Sequence, residues 1–275
     1  MNSLVSCSTA SSADLERRFG GVRRLYGADA LQRFKAAHVC VVGIGGVGSW
    51  VAEALARSAI GHLTLIDLDM VAESNVNRQI HALDGIFGKA KTDAMAERIH
   101  AINPACHIDT IEDFVTIENV ATMLDSGFSY VVDAIDQVRT KAAMIAWCAQ
   151  KGVPLVTAGG AGGQLDPTRI SVTDLSRTVQ DPLLAKVRSV LRKEYGFARD
   201  PKKKFGIPAV FSDEPLRYPD PGASCEVTAS PVGLNCAGYG SSVCVTASFG
   251  LFAASVALRH IAEQTGVTPR NRARG

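Results

Sequence analysis

The run VVGIGGVGS (41–49) constrains the chain most. Its glycines, Gly43, Gly45, Gly46 and Gly48, follow the apolar stretch HVCVVG (38–43) and precede SWVAEALARSA (49–59), whose apolar residues have helical spacing. A strand, a glycine turn and a helix in that order let backbone amides approach phosphate oxygens, and the helix dipole favours their charge. Alone, the letters also fit the Gly-x-Gly-x-x-Gly fingerprint of nicotinamide enzymes, with Asp67, 24 residues after Gly43, holding a ribose.

Beyond the turn, apolar runs alternate with amphipathic stretches. Strands are expected at HLTLIDLD (62–69), CHIDTIED (106–113), YVVDAID (130–136) and VPLVTAGG (153–160), and helices at KTDAMAERIHAI (91–102) and KAAMIAWCAQ (141–150). Asn103-Pro104 stops the first of these helices, because a residue before proline is pushed out of the helical region. Repeated strand then helix predicts an α/β, Rossmann-like doubly wound sheet, mainly parallel, with helices on both faces. After Gly160 the pattern loosens into a strand at RISVTDL (169–175), a helix from Pro182 to Tyr195 and a proline-rich stretch from Pro201 to Pro221. With no linker visible, the C-terminal part is expected to pack on the same sheet, giving a single domain over 13–267 with disordered tails at 1–12 and 268–275.

Seven cysteines, at 7, 40, 106, 148, 225, 236 and 244, include no Cys-x-x-Cys pair. That excludes a disulfide framework, argues for reduced thiols in the cytoplasm and leads us to expect no structural zinc. The first twelve residues lack the basic start and long apolar stretch of a secretion signal. From Cys236 to Leu258 no residue is charged, a span long enough to cross a bilayer, yet glycine, serine and threonine dilute it. A buried helix after a glycine-rich loop is expected there, without membrane insertion.

The loop DLDMVAESNVNRQI (67–80) decides between cofactors. Asp67, Asp69, Asn75, Asn77, Arg78 and Gln79 are more polar machinery than a dinucleotide ribose needs, and they read as a triphosphate clamp. Arg78 can give paired hydrogen bonds to phosphate, and Asn75 and Asn77 can contact phosphate or sugar oxygens. Lys91 adds a point charge, and Asp136, at the end of another strand, is a carboxylate suited to magnesium. The plainer readings are that Arg78 and Lys91 are solvated surface charges and that Asp136 caps the following helix.

These motifs, Gly-x-Gly-Gly-x-Gly-Ser, Asp67-x-Asp69, Ser74-Asn75-x-Asn77-Arg78-Gln79, Gly88-x-x-Lys91 and Asp133-x-x-Asp136, resemble in order the adenylation motifs of the MoeB, ThiF and ubiquitin-activating superfamily. The resemblance implies that ATP is the cofactor, with Asp67 on its ribose, Asn75 and Arg78 on its phosphates, Lys91 on the side of the leaving pyrophosphate and Asp136 on magnesium. It also implies a homodimer in which an arginine near the N-terminus reaches the partner's ATP. Gly21 stands where the second arginine of that motif falls after Arg18, so Arg24 is the substitute expected here.

The whole chain resembles one branch, the tRNA threonylcarbamoyladenosine dehydratases, through RRFGGVRRLYG (17–27), NRQIHAL (77–83), AERIHAINP (96–104), VVDAIDQVR (131–139), PLVTAGGAGGQLDPT (154–168) and QDPLLAKVR (180–188). That implies a tRNA substrate whose threonyl carboxylate is adenylated and then cyclised, and an association with a cysteine desulfurase or sulfur-acceptor system. Adenylation of a ubiquitin-like or sulfur-carrier protein's C-terminus is the alternative. Charge gives an independent indication. Lys186, Arg188, Arg192, Lys193, Arg199, Lys202, Lys203 and Lys204, against Glu194 and Asp200, give this segment +6 in a chain of net +2. Lys186, Arg188, Arg192 and Lys193 on a helix and Lys202, Lys203 and Lys204 on a loop suit an RNA backbone. Cys225 and Cys236 flank a loop near the expected site, and structural thiols are expected because an intramolecular ring closure needs no cysteine nucleophile.

Overall fold

The structure, a computed structural model, describes residues 13–218 and 239–264. Two helices lead in, α1 (Leu15–Tyr26) and α2 (Ala28–Ala36). Asp14 caps α1 by accepting the Arg17 amide at 3.0 Å. Then follow β1 (His38–Val42), α3 (Gly48–Arg57), β2 (His62–Ile66), α4 (Lys91–Ile102), β3 (His107–Ile111), α5 (Val120–Leu124), β4 (Tyr130–Asp133), α6 (Val138–Lys151) and β5 (Leu155–Ala158). The remainder comprises β6 (Ile170–Asp174), α7 (Pro182–Glu194), β7 (Pro208–Ser212) and α8 (Val243–Glu263).

Seven strands form one sheet in the order β3-β2-β1-β4-β5-β7-β6, parallel except where β6 meets β7. Apart from His38 and Asp133 at their ends, the central strands β1 and β4 are apolar and buried on both faces, as a parallel sheet covered by helices requires. One apolar core joins α3 and α8 to one face through Val51, Leu55, Phe249 and Ala253; the other joins α6 and α7 through Met144, Ile145, Leu184 and Val187. From β1 the chain winds outward to β2 and β3, then returns to place β4 on the other side of β1. That reversal opens a crevice beyond the carboxyl ends of β1 and β4, where α/β sheets bind ligands.

The expected helix at 91–102 matches α4, and Asn103 ends it. Arg18 seals the same end, donating through Nη1 to the carbonyls of Ala101 and Ile102 at 3.1 and 2.7 Å. Two readings need correction. The proline-rich stretch contains β7, with Pro208 as its first residue, where the lack of an amide proton costs no mid-strand bond. The strands expected to carry the site carboxylates are shorter, β2 stopping at Ile66 and β4 at Asp133, so that Asp67 and Asp136 lie in the loops beyond. The apolar helix begins at Val243, and the preceding 236–238 fall outside the described residues. Although α8 is long and apolar enough to cross a membrane, Val245, Phe249, Ala253 and Ala257 have no exposure and it packs as a core helix. The terminal tails expected at 1–12 and 268–275 also lie outside the described residues.

Candidate nucleotide site

The glycine loop leaves β1 sharply. Gly43 has φ +88°, and a Cβ on Gly48 would lie 1.7 Å from the Gly43 carbonyl oxygen, so no side chain fits where α3 starts. Asp67 fixes this loop to the end of β2: its Oδ2 accepts the Ile44 amide at 2.6 Å and its Oδ1 the Asp69 amide at 2.9 Å. Burial raises the Asp67 carboxyl above its ordinary range, opposed by the charge of Lys91 and by these two amides.

The 67–91 loop folds back on itself. Met70 bridges Ala90, Val71 donates to the Lys89 carbonyl at 2.8 Å, and Lys91 donates to the Asp69 carbonyl at 3.0 Å. Lys91 Nζ consequently lies 2.6 Å from Asp69 Oδ2. The lysine side chain is only 7% exposed, which corrects its reading as a surface cation; Asp69 is 56% exposed. Arg78 lies over the glycine loop, where a Cβ on Gly46 would meet its Cγ at 3.1 Å. Its Nη1 donates to the Ser74 carbonyl and to Asn77 Oδ1, both at 2.9 Å, and its own carbonyl accepts from the Trp50 indole of α3 at 2.9 Å. Arg78 is thus held in place and is not a freely solvated charge.

Asn75 has a different place from the one expected. It is buried, and its Oδ1 accepts the Ala72 amide at 3.0 Å, closing its own turn. Asn77 is exposed and its Nδ2 donates to the hydroxyl of Ser241, just before α8, at 3.3 Å. Gln79 is buried with no partner for Oε1 among the described residues. Nearby in sequence, His81 is buried with neither ring nitrogen partnered among the described residues, and burial together with Lys91 and Arg98 lowers its pKa to about 4. Sequence reasoning passed over His81, because one histidine in an apolar stretch carries no local signal.

A wholly buried pair anchors the third loop. Lys141 Nζ is 2.8 Å from Asp133 Oδ2, which also accepts the Thr157 hydroxyl at 2.7 Å, while Asp133 Oδ1 accepts the Ile135 amide at 3.3 Å. The loop so tied packs on the glycine turn, since a Cβ on Gly43 would meet Ala134 O at 3.1 Å and Ile135 Cγ2 at 3.0 Å. Asp136 follows on this loop, partly exposed. It makes no hydrogen bond among the described residues, and α6 is capped at Gln137 without any side-chain bond, so Asp136 is not a helix cap. Lys141 was legible only as an ordinary helix residue.

Arg24 is exposed in the last turn of α1, its guanidinium over Gly20 and Gly21 of the same helix. The basic residues are elsewhere. Asp181 caps α7 by accepting the Leu184 amide at 2.9 Å, with Pro182 in the first turn. A groove of about 430 Å³ on this helix is lined by Arg188, Arg192, Lys193 and Arg199 with Ala185 and Ser189, and among the described residues no carboxylate lines it. Arg188 bonds the Thr178 hydroxyl, and Arg192 stacks 5.3 Å from the Phe205 ring centre, so both are oriented. Lys186, Lys193, Lys202, Lys203 and Lys204 are exposed. Cys40, Cys106 and Cys148 are buried, with Cys106 and Cys148 pushed up to about 12 and Cys40 raised further, while Cys244 is exposed. Cys7, Cys225 and Cys236 lie outside the described residues.

The ThiF family profile matches residues 19–272. The tRNA threonylcarbamoyladenosine dehydratase of Haemophilus influenzae is 55% identical over 241 residues, covering 87% of this chain and 91% of that protein. The chain belongs to the tRNA threonylcarbamoyladenosine dehydratase family. The Escherichia coli dehydratase is likewise 55% identical, over 248 residues, covering 88% of this chain and 92% of its own. The crystal structure of E. coli TcdA in complex with ATP superposes with a TM-score of 0.82 at 52% identity, covering 92% of this chain and 97% of that one. Its complex with AMP gives the same TM-score. The dehydratase fold therefore extends over both the crevice and the C-terminal α8.

Proposed function

We propose that this chain cyclises the threonylcarbamoyl group of a modified adenosine in the tRNA anticodon loop, using ATP. The carrying observation is the convergence of Asp67, Arg78, Lys91 and the Asp136 loop on one glycine turn at the sheet's switch point, in a chain 55% identical to two dehydratases. A complex of the E. coli enzyme with ATP, the nucleotide that adenylation consumes, and another with AMP, the nucleotide expelled at ring closure, support the same chemistry. A molybdopterin-synthase adenylyltransferase is 29% identical over 58% of the chain, which favours the protein-carboxylate alternative less.

The threonyl carboxylate oxygen bonds to the α-phosphorus, and the bond from that phosphorus to the bridging oxygen breaks, releasing pyrophosphate. A nitrogen of the same modified side chain then attacks the acyl carbon, loses its proton and expels AMP, so the nucleoside loses the elements of water. The barrier lies in bringing anions together and in charge collecting on pyrophosphate, which preorganised cations offset. Arg78, held by its neighbours above the turn, and Lys91 are the cations for that task. Asp67 orders the glycine amides toward the phosphates and offers its remaining lone pairs to a ribose, and Gln79 has an acceptor free for a ligand. Asp136, unengaged and partly exposed, fits a hard cation, and magnesium held there with ATP would disperse phosphate charge.

The basic groove and the Lys202–Lys204 loop are proposed to hold tRNA phosphates, with Arg199 added to the set read from sequence. Leu68, Met70, Val76, Leu83 and Phe87 are exposed large apolar side chains within one loop, which supports a homodimer, with Arg24 free to reach the partner's site. A cytoplasmic location, one domain over 13–267 and a cysteine desulfurase or sulfur-acceptor partner complete the reading. The test is pyrophosphate release from ATP in the presence of either threonylcarbamoylated tRNA or a sulfur-carrier protein; release with the carrier alone overturns the proposal.

A further inference from the structure

The opposite edge of the sheet, away from the nucleotide crevice, carries a row of imidazoles. His38, His62 and His107 are the first residues of β1, β2 and β3 and are register partners, His38 with His62 and His62 with His107. In parallel strands such partners rise from one face, and Asp109, two residues beyond His107, rises from it too. His62 Nε2 lies 2.7 Å from Asp109 Oδ2, and His107 Nε2 lies 3.1 Å from Asp109 Oδ1. The His38 ring stacks on His62 with centres 3.4 Å apart and planes within 4°.

We propose that His38, His62 and Asp109, with His107 beside them, form a binding site for a divalent transition-metal ion of the zinc class. One ligand atom from each of His38, His62 and Asp109 lies within 4.8 Å of the other two. Around a tetrahedral zinc with bonds of about 2.0–2.1 Å, ligand atoms sit roughly 3.3 Å apart. The difference is within the reach of side-chain torsions, with the strands left in their register. The stacked rings present their nitrogens side by side, so a small splay directs both at one ion, and His38 Nε2 then exchanges its 2.8 Å contact with Thr64 Oγ1 for the metal. Two or three imidazoles and one carboxylate select zinc, nickel or copper over magnesium and calcium.

Access is open, since the side chains of His62 and Asp109 are 29% and 47% exposed. The bound ion would tie β1, β2 and β3 together at the edge opposite the nucleotide and so stabilise the fold. This departs from the expectation of no structural zinc, which rested on missing cysteine pairs; here the ligands are scattered over three strands and meet only through the sheet register.

The experiment uses the full chain freed of metal with a chelator and titrated with zinc chloride by calorimetry, with thermal melts in parallel. The expected result is one zinc per chain at micromolar affinity or tighter, a higher Tm with zinc, and no effect of magnesium at the same concentration. His62→Asn and Asp109→Asn should each weaken zinc binding at least tenfold and remove the Tm rise while ATP-dependent pyrophosphate release is kept. No zinc binding by the wild-type chain, or undiminished binding in Asp109→Asn, whose half-exposed side chain can be replaced without unfolding, would overturn the assignment.

Discussion

Lys141 Nζ lies 2.8 Å from Asp133 Oδ2, and neither side chain has any solvent exposure. The pair joins the end of β4 to α6 beneath the loop that carries Asp136. Breaking such a pair leaves an uncompensated buried charge, at a cost of about 3–5 kcal/mol, whereas replacing both partners by apolar or neutral groups is far less costly. Lys141→Met should therefore lower stability in denaturant by that amount, and adding Asp133→Asn to it should recover most of the loss. A Lys141→Met variant with an unchanged unfolding midpoint would mean the pair contributes nothing.

Arg78→Ala and Lys91→Met should each reduce turnover by on the order of 10²-fold or more, as expected when a cation aimed at developing charge is removed. Neither should unfold the chain. Asp69, left alone by Lys91→Met, is 56% exposed and can be hydrated, and the methionine keeps the buried stem filled. Turnover near the wild-type value in either variant would show that the clamp is wrongly assigned.

His81 gives stability a pH dependence. Its folded pKa is lowered from 6.5 to about 4, so between those values the unfolded chain binds the extra proton and stability falls as pH falls. With these two values, the loss reaches about 2 kcal/mol at pH 5 and is absent above pH 7. Denaturant unfolding from pH 7 to 4.5 should show this slope, reduced by close to one proton in His81→Gln. An identical slope in that variant would mean His81 titrates normally in the folded state.

Changing Lys202, Lys203 and Lys204 to glutamate should weaken tRNA binding strongly and flatten its salt dependence by about one slope unit per lost phosphate contact. Modified and unmodified tRNA should be affected alike, because phosphate contacts position the molecule without reading its bases. Equal affinity and slope in the wild type and the triple variant would move the tRNA to the α7 groove or beyond.

What was legible in the sequence followed from local rules. The glycine turn, the alternation of strand and helix and the stop at Asn103 depend on neighbours within a few residues, and each is found where its pattern falls. Position across the sheet was not legible. Nothing local distinguishes Lys141 from any other helical lysine, or reveals that Asn75 would close its own turn and leave Asn77 and Arg78 facing the crevice. Lys91 read as a surface charge because its burial comes from the Met70–Ala90 bridge, a contact made when the loop folds back. β7 was hidden because its proline resembles a loop residue, although Pro208 occupies the first strand position, which tolerates it.

The central claim is that the chain dehydrates a threonylcarbamoylated adenosine through an acyl-adenylate, and one assay addresses it directly. Purified chain, ATP, magnesium and threonylcarbamoylated tRNA are incubated, and the tRNA is digested to nucleosides for mass spectrometry while pyrophosphate is counted. The account predicts that the modified nucleoside loses the mass of one water, with one pyrophosphate released per nucleoside converted and none with unmodified tRNA. Pyrophosphate release without that mass change, or a mass change without ATP, would contradict it.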